Sequence, residues 1–234
     1  MPIFDPEKLE KWSCGTWSNK PLDKISGFSI DSRSLNSGDL FVAIKADRDG
    51  HDFLSFAQDN GASASIVEDE IPDVHLPQLL VKDSLQAFHD IAHHHRLGFK
   101  GPVVGITGSC GKTSTKDTLG LLLGEEKALC TEGNLNNHLG VPLTLLRCDN
   151  SAHQYAVVEA GINQIGEMSR LAQTISPNLV VVTIIAASHL EGLGSIDNIA
   201  SEKADLFLKF EIFSISNSSS ENLFFLKRVE ILIF

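Results

Sequence analysis

The apolar positions of this chain fall into short blocks separated by turn residues, and the blocks become more regular along its length. Residues 38–44, 64–67 and 79–81 are rich in Val, Ile, Leu and Phe and read as buried strands, with a helix over residues 52–60 closed by Gly61. Ser84 is placed to cap a helix running through Ala87, Phe88 and Ile91 to Arg96. From Val103 the alternation is strict: a strand to Thr107, a helix over 113–123, a strand over 127–131, a helix near 141–146, a strand over 155–159, a helix over 166–174 and a strand over 179–185. Strands that are apolar along their whole length and separated by helices belong to a parallel sheet covered on both faces. The fold class is therefore α/β. The stretch Gly98-Phe99-Lys100-Gly101-Pro102 reads as a boundary, giving domains over 1–100 and 101–207.

Residues 208–234 break the pattern. They hold Ser214-Ile215-Ser216-Asn217-Ser218-Ser219-Ser220, then Phe224-Phe225-Leu226 and Ile231-Leu232-Ile233-Phe234, with no helix or strand period and no Gly or Pro punctuation. They are expected to form an atypical tail outside the second domain.

The chemistry concentrates where the first strand of the second domain breaks: Val103-Val104-Gly105-Ile106-Thr107-Gly108-Ser109-Cys110-Gly111-Lys112-Thr113-Ser114. A strand, a glycine turn and a helix start form a phosphate cradle, because backbone N–H groups can approach phosphate oxygens where a Cβ would obstruct them. Lys112 adds a full charge for the outer phosphates, and Thr113 a hydroxyl for Mg2+. The spacing is T-G-x-x-G-K-T; Ile106 stands where the longer G-x-x-x-x-G-K-[ST] pattern has its first glycine. An ordinary strand-to-helix turn is the alternative, but it does not call for a lysine and a hydroxyl directly after the second glycine. Thr107, Gly108, Ser109, Cys110, Gly111, Lys112, Thr113 and Ser114 are the candidate nucleotide-binding residues. In parallel sheets ligands bind beyond the carboxyl ends of the strands. Gly133-Asn134-Leu135-Asn136-Asn137-His138, Glu159 and His189-Leu190-Glu191 all fall there.

Other signals are weaker. His89-Asp90-Ile91-Ala92-His93 places two histidines four apart on a helix, yet the acid is Asp and no third ligand is evident, so a solvated helix end is favoured over a metal site. With 42% hydrophobic and 21% charged residues over 234 positions, a globular protein of one large or two modest domains is expected. A formal charge of -11 argues against a nucleic-acid surface. Cys14, Cys110, Cys130 and Cys148 have no C-x-x-C spacing, which suits a reducing cytoplasm. Neither a secretory leader nor an apolar run long enough to span a bilayer is evident, so membrane insertion is not expected.

With these segments together the chain resembles the Mur ligases, ATP-dependent amide-forming enzymes of peptidoglycan synthesis. The resemblance is carried by 106–113, by Gly133-Asn134-Leu135-Asn136-Asn137-His138-Leu139-Gly140-Val141-Pro142, by Val158-Glu159-Ala160-Gly161-Ile162-Asn163 and by Ala187-Ser188-His189-Leu190-Glu191-Gly192-Leu193-Gly194-Ser195. Asp31-Ser32-Arg33, Gly38-Asp39-Leu40-Phe41-Val42-Ala43 and Asp49-Gly50-His51 look like the family's uridine-nucleotide domain. The resemblance implies an N-terminal α/β nucleotide-sugar domain followed by a partial P-loop, parallel-sheet ATPase domain.

It further implies ATP and Mg2+ as cofactors, and UDP-N-acetylmuramoyl-tripeptide and D-alanyl-D-alanine as substrates. A carboxylate would be activated as an acyl phosphate and attacked by an amine. Lys112, Glu159, His189 and Lys203 would be catalytic, with Thr113, Glu159 and His189 around the metal. Ser32, Arg33, Asn134, Asn136 and Asn137 would meet substrate. Lys203 aligns with a lysine that the family carbamylates, a change from cation to an anion able to bind Mg2+. Read without the resemblance, Glu159 can be a solvated strand end, His189 a loop histidine, Lys203 a surface lysine and the Asn-rich turn one that satisfies its own backbone.

The chain departs from the family pattern at Cys110, at Ile184 and at Ala186-Ala187-Ser188, which leaves the second metal site less defined. Relatives continue through the central sheet into a third domain, so the chain is expected to be truncated and inactive alone, with residues 208–234 unrelated, as after a shifted reading frame. A sister amide ligase, including a folate-type one, and a nucleotide-binding fragment without catalysis are the alternatives.

Overall fold

The computed structural model describes residues 2–207 and the strand segments 225–226 and 229–233. The serine-rich stretch of the tail lies outside the described residues. The chain divides into two compact units, one up to His95 and one from Arg96 onward.

The first unit opens with α1 (Pro6–Ser13), whose N-cap Asp5 accepts the Glu7 N–H at 2.9 Å and whose first turn holds Pro6. Its sheet has the order β1-β5-β4-β3-β2, formed by β1 (Thr16–Trp17), β2 (Gly27–Ser29), β3 (Asp39–Val42), β4 (Ala64–Val67) and β5 (Gln78–Leu80). All neighbours are parallel except β1 against β5. Phe41, Ala43, Leu54, Ala57 and Val67 pack as one core cluster. The single helix expected over 52–60 is divided. A 3-10 turn, Gly50–Phe53, capped by Asp49 onto the His51 N–H at 3.0 Å, precedes α2 (Leu54–Asp59).

α3 (Ser84–Leu97) is present, but Ser84 is not its cap. Asp83 Oδ1 accepts the Gln86 N–H at 2.8 Å, while the buried Ser84 hydroxyl has no hydrogen-bond partner among the described residues. Asp, one position earlier, reaches the free N–H of the first turn with a charged acceptor and so takes the role.

The second unit is built on the order β10-β11-β9-β6-β8-β7, from β6 (Val103–Thr107), β7 (Ala128–Cys130), β8 (Tyr155–Glu159), β9 (Leu179–Val182), β10 (Phe225–Leu226) and β11 (Val229–Ile233). β6 is central, parallel to β8 and β9, with Ile106 opposite Glu159 and Thr107 opposite Val182. The helices are α4 (Lys112–Leu123), α5 (Gly140–Leu146), α6 (Glu167–Ile175), α7 (Leu190–Leu193) and α8 (Ile196–Ala204), the last followed by a 3-10 turn, Asp205–Phe207. Every residue of β6 is buried, as a strand covered on both faces requires.

The expectation that the tail carries no strand is corrected at 229–233, where β11 pairs in parallel with β9. A parallel strand reads as an unbroken apolar run, so Ile231-Leu232-Ile233 shows no alternation to betray it.

Arg96 anchors this unit. Its buried guanidinium donates to Ile175 O at 3.0 Å, Ser176 O at 2.8 Å and Asn178 Oδ1 at 2.7 Å. It thereby satisfies carbonyls at the end of α6 that have no intrahelical partner. Asn178 Oδ1 also accepts the Val103 N–H at 2.9 Å, which ties the turn after α6 to the start of β6.

Candidate functional site

The turn from β6 into α4 occupies residues 108–111, and its conformation explains the two glycines. Gly108 and Gly111 have φ of +148° and +82°, and a Cβ on Gly108 would collide with Thr183 Oγ1. Thr183, just past β9, donates its hydroxyl to Cys110 O at 2.5 Å, and Ser109 N donates to Ile184 O at 2.6 Å. Ser109 Oγ donates to Ala186 O at 2.8 Å and accepts the Ala186 N–H at 3.0 Å. The segment after β9 thus braces the loop from one side. Gly111, Thr113 and Ser114 are exposed where the first N–H groups of α4 lie, so the residues present fit a phosphate chain.

Lys112 opens α4 and turns back over the loop, its Nζ 3.0 Å from Gly108 O. Thr113 Oγ1 donates to Glu159 Oε2 at 3.0 Å. Glu159, at the end of β8 and only 1% exposed, receives Asn136 Nδ2 on its other oxygen at 2.8 Å, and its own N–H donates to Thr131 Oγ1 at 2.9 Å. A buried carboxylate held by two neutral donors keeps lone pairs for a hard cation, and the hydroxyl beside it is a second oxygen ligand. Among the described residues, no group of three or more His, Cys, Asp or Glu is placed to hold a metal ion.

Lys203 lies on the core-facing stripe of α8 with Ile199 and Glu202, and is 2% exposed. Burial, and next the charge of Lys112, lower its pKa to about 8.

The other sequence-derived candidates are placed as follows. Thr107 is fully buried, with its hydroxyl unpartnered among the described residues; Cys110 and Ser114 are exposed at the loop and the first turn of α4. Asn137 Oδ1 accepts the N–H groups of Leu139 and Gly140 at 3.0 and 2.9 Å, a contact that fixes the start of α5. Asn134 is exposed, and its carbonyl accepts the Asn136 N–H at 2.7 Å. His189 is exposed at φ +52°, leading into α7. Ser32 and Arg33 belong to the first unit, where the Arg33 guanidinium pairs with Asp31 at 2.7 Å and holds that carboxyl down to about 2.

Sequence reasoning missed Thr131, Thr183 and Lys116. The first two are hydroxyls at strand ends, where an apolar run gives way to a polar residue that can bond an adjacent loop. Lys116, four residues after Lys112 and 5% exposed, donates to Thr131 O at 2.9 Å and so steadies the strand end beside Glu159.

Two family descriptions match this chain: "Mur ligase middle domain" over residues 106–230 and "Mur ligase family, catalytic domain" over residues 24–96. The UDP-N-acetylmuramoyl-tripeptide--D-alanyl-D-alanine ligase of Escherichia coli is 42% identical over 185 residues, covering 78% of this chain and 40% of that enzyme. A crystal structure of MurF from Acinetobacter baumannii superposes with a TM-score of 0.84 at 34% identity, covering 89% of this chain and 47% of that one. The MurF ligase of Thermotoga maritima, solved in complex with ADP, gives 0.69 at 34% identity over 77% of this chain and 42% of its own. The chain spans less than half the length of these relatives.

Proposed function

The chain belongs to the Mur ligase family, and from that membership we propose that it is part of an ATP-dependent ligase that joins D-alanyl-D-alanine to a UDP-N-acetylmuramoyl-tripeptide in cytoplasmic peptidoglycan synthesis. The observation that carries the reading is the contact of Thr113 Oγ1 with the buried carboxylate of Glu159, at 3.0 Å, directly behind a lysine-bearing glycine loop. Bound ATP and Mg2+ would supply a phosphoryl group to a substrate carboxylate, giving an acyl phosphate open to attack by an amine.

The chain's own contribution is to bind, orient and neutralise charge, which is most of what phosphoryl transfer asks of a protein. Lys112, now bonded to Gly108 O, would hold the outer phosphates. The N–H groups at the start of α4 would donate to the same phosphates. Thr113 and Glu159 would present oxygen to the divalent cation, with His189 as a further ligand. Asn136 fixes the Glu159 carboxylate. Lys203, buried on α8, spends time as the neutral amine that carbamylation requires. Ser32, Arg33, Asn134 and Asn137 serve the substrates.

Residues 1–234 alone are proposed to hold the nucleotide without completing the ligation, because amide formation needs both reactants enclosed and water excluded. The test is phosphate release with ATP, the uridine-linked tripeptide and D-alanyl-D-alanine. It compares the 234-residue chain with a fusion carrying the remaining portion of a relative such as the Escherichia coli enzyme. Release only by the fusion is expected. Turnover by the 234 residues alone contradicts the proposed incompleteness, and an inert fusion contradicts the ligase reading.

A further inference from the structure

The loop between β8 and α6, residues 160–166, follows Glu159 directly, and its backbone N–H groups are claimed from several directions. Ala160 N donates to Ile106 O at 2.7 Å and Gly161 N to Asn136 O at 2.7 Å. Asn163 N and Gln164 N donate to Glu167 Oε2 at 2.6 and 3.1 Å, a reach backward from the first turn of α6. Gly166, at φ +89°, points its N–H at Glu202, with both carboxylate oxygens at 2.9 Å. α7 closes on the same loop, since a Cβ on Gly192 would collide with Asn163 O.

Glu202 is unusual on its own helix. The buried stripe of α8 is Ile199, Glu202 and Lys203, so the two charged residues share the apolar face. Burying a carboxylate is costly unless it is hydrogen-bonded, and here the compensation comes from an N–H at the start of α6, where the helix dipole also favours negative charge. Lys203 follows Glu202 by one residue, so whatever fixes the rotation of α8 about its axis also fixes the direction of the Lys203 amine.

We propose that Glu202 is a positioning residue. By gripping the Gly166 N–H it locks α8 to the loop leaving Glu159 and so fixes the direction of the buried Lys203 amine. The proposal rests on the assignment of Lys203 to the site made above, but it concerns a different residue and a different bond.

The experiment measures acetylation of Lys203 at one fixed pH by peptide mass spectrometry in the wild-type chain, Glu202→Ala and Glu202→Gln. Binding of Mg-ATP and the carbamate carbon signal after 13C-bicarbonate addition are followed alongside. Glutamine keeps an oxygen that can accept the Gly166 N–H; alanine does not. Expected results are acetylation at least about tenfold faster in Glu202→Ala with loss of its carbamate signal, and Glu202→Gln within about twofold of wild type. Equal protection of Lys203 in Glu202→Ala and wild type overturns the proposal, as does Glu202→Gln behaving like Glu202→Ala.

Should Glu202→Ala fail to fold, hydrogen exchange at the Gly166 amide of the wild-type chain decides. Protection supports the bond, and free exchange overturns it. A wild-type chain that binds Mg-ATP yet shows no carbamate signal speaks against the reading of Lys203 and leaves the acetylation and exchange results to judge Glu202.

Discussion

Thr113 Oγ1 donates to Glu159 Oε2 at 3.0 Å, which joins the first turn of α4 to the end of β8, two places 46 residues apart in the chain. Glu159 is buried while Thr113 is exposed, and the other Glu159 oxygen is held by Asn136 Nδ2. Thr113→Val keeps the shape and removes the hydroxyl. The expected outcome is that Mg2+ no longer strengthens ATP binding by its wild-type factor, with at least about a tenfold loss in that factor, because a hydrogen bond to a charged group is worth about 1.5–3 kcal/mol. Titrations with and without Mg2+ check it; an unchanged ratio counts against the metal assignment.

Gly108→Ala places a Cβ against Thr183 Oγ1 at a φ of +148°. Thr183 must then release Cys110 O, and the loop loses its brace. Nucleotide affinity is expected to fall by more than about tenfold, while the far-ultraviolet dichroism stays that of the wild type, since the change is confined to one loop. Wild-type affinity in this variant would show that the loop tolerates rearrangement and that Thr183 does not brace it.

Arg96→Met removes three guanidinium bonds, two to the carbonyls at the end of α6 and one to the Asn178 side chain in the turn after it. Leaving those acceptors unsatisfied is expected to cost about 2–4 kcal/mol in urea unfolding. A loss within the range of an exposed substitution, about 0.5 kcal/mol, would mean that water replaces the guanidinium.

These contacts mark where the sequence was legible and where it was not. β8 was read to the residue because its apolar run is bounded by Gln154 and Glu159, and β4 for a similar reason. The glycine loop was visible because its glycines, lysine and threonine are adjacent in sequence. Thr183, Thr131 and Arg96 were not, because each acts on a segment brought near only by the sheet: Arg96 meets Ser176 across 80 positions. β11 escaped because a parallel strand has no alternation, and Ser84 was read as a cap because a serine before a helix ordinarily is one.

Lys203 gives the stability a pH signature. Its pKa is lowered to about 8 by burial, against roughly 10.4 in an unfolded chain. Below about 8 both states carry the proton and the full penalty of a buried cation is present; between about 8 and 10.4 the unfolded state binds more protons, so stability rises with pH. Lys203→Met is expected to be more stable than wild type at pH 7, by at most about 3 kcal/mol, and the difference is expected to shrink by pH 10. Urea unfolding at the two pH values checks it; a constant difference contradicts the burial of a titrating amine.

The central claim is that residues 107–114 cradle the phosphates of ATP with Lys112 as the decisive charge. Its most direct measurement is calorimetric titration of Mg-ATP into the wild-type chain and Lys112→Ala. Measurable binding by the wild type and a loss of at least about tenfold in the variant, at unchanged thermal unfolding, is the predicted result. Equal affinity in the two proteins would contradict it.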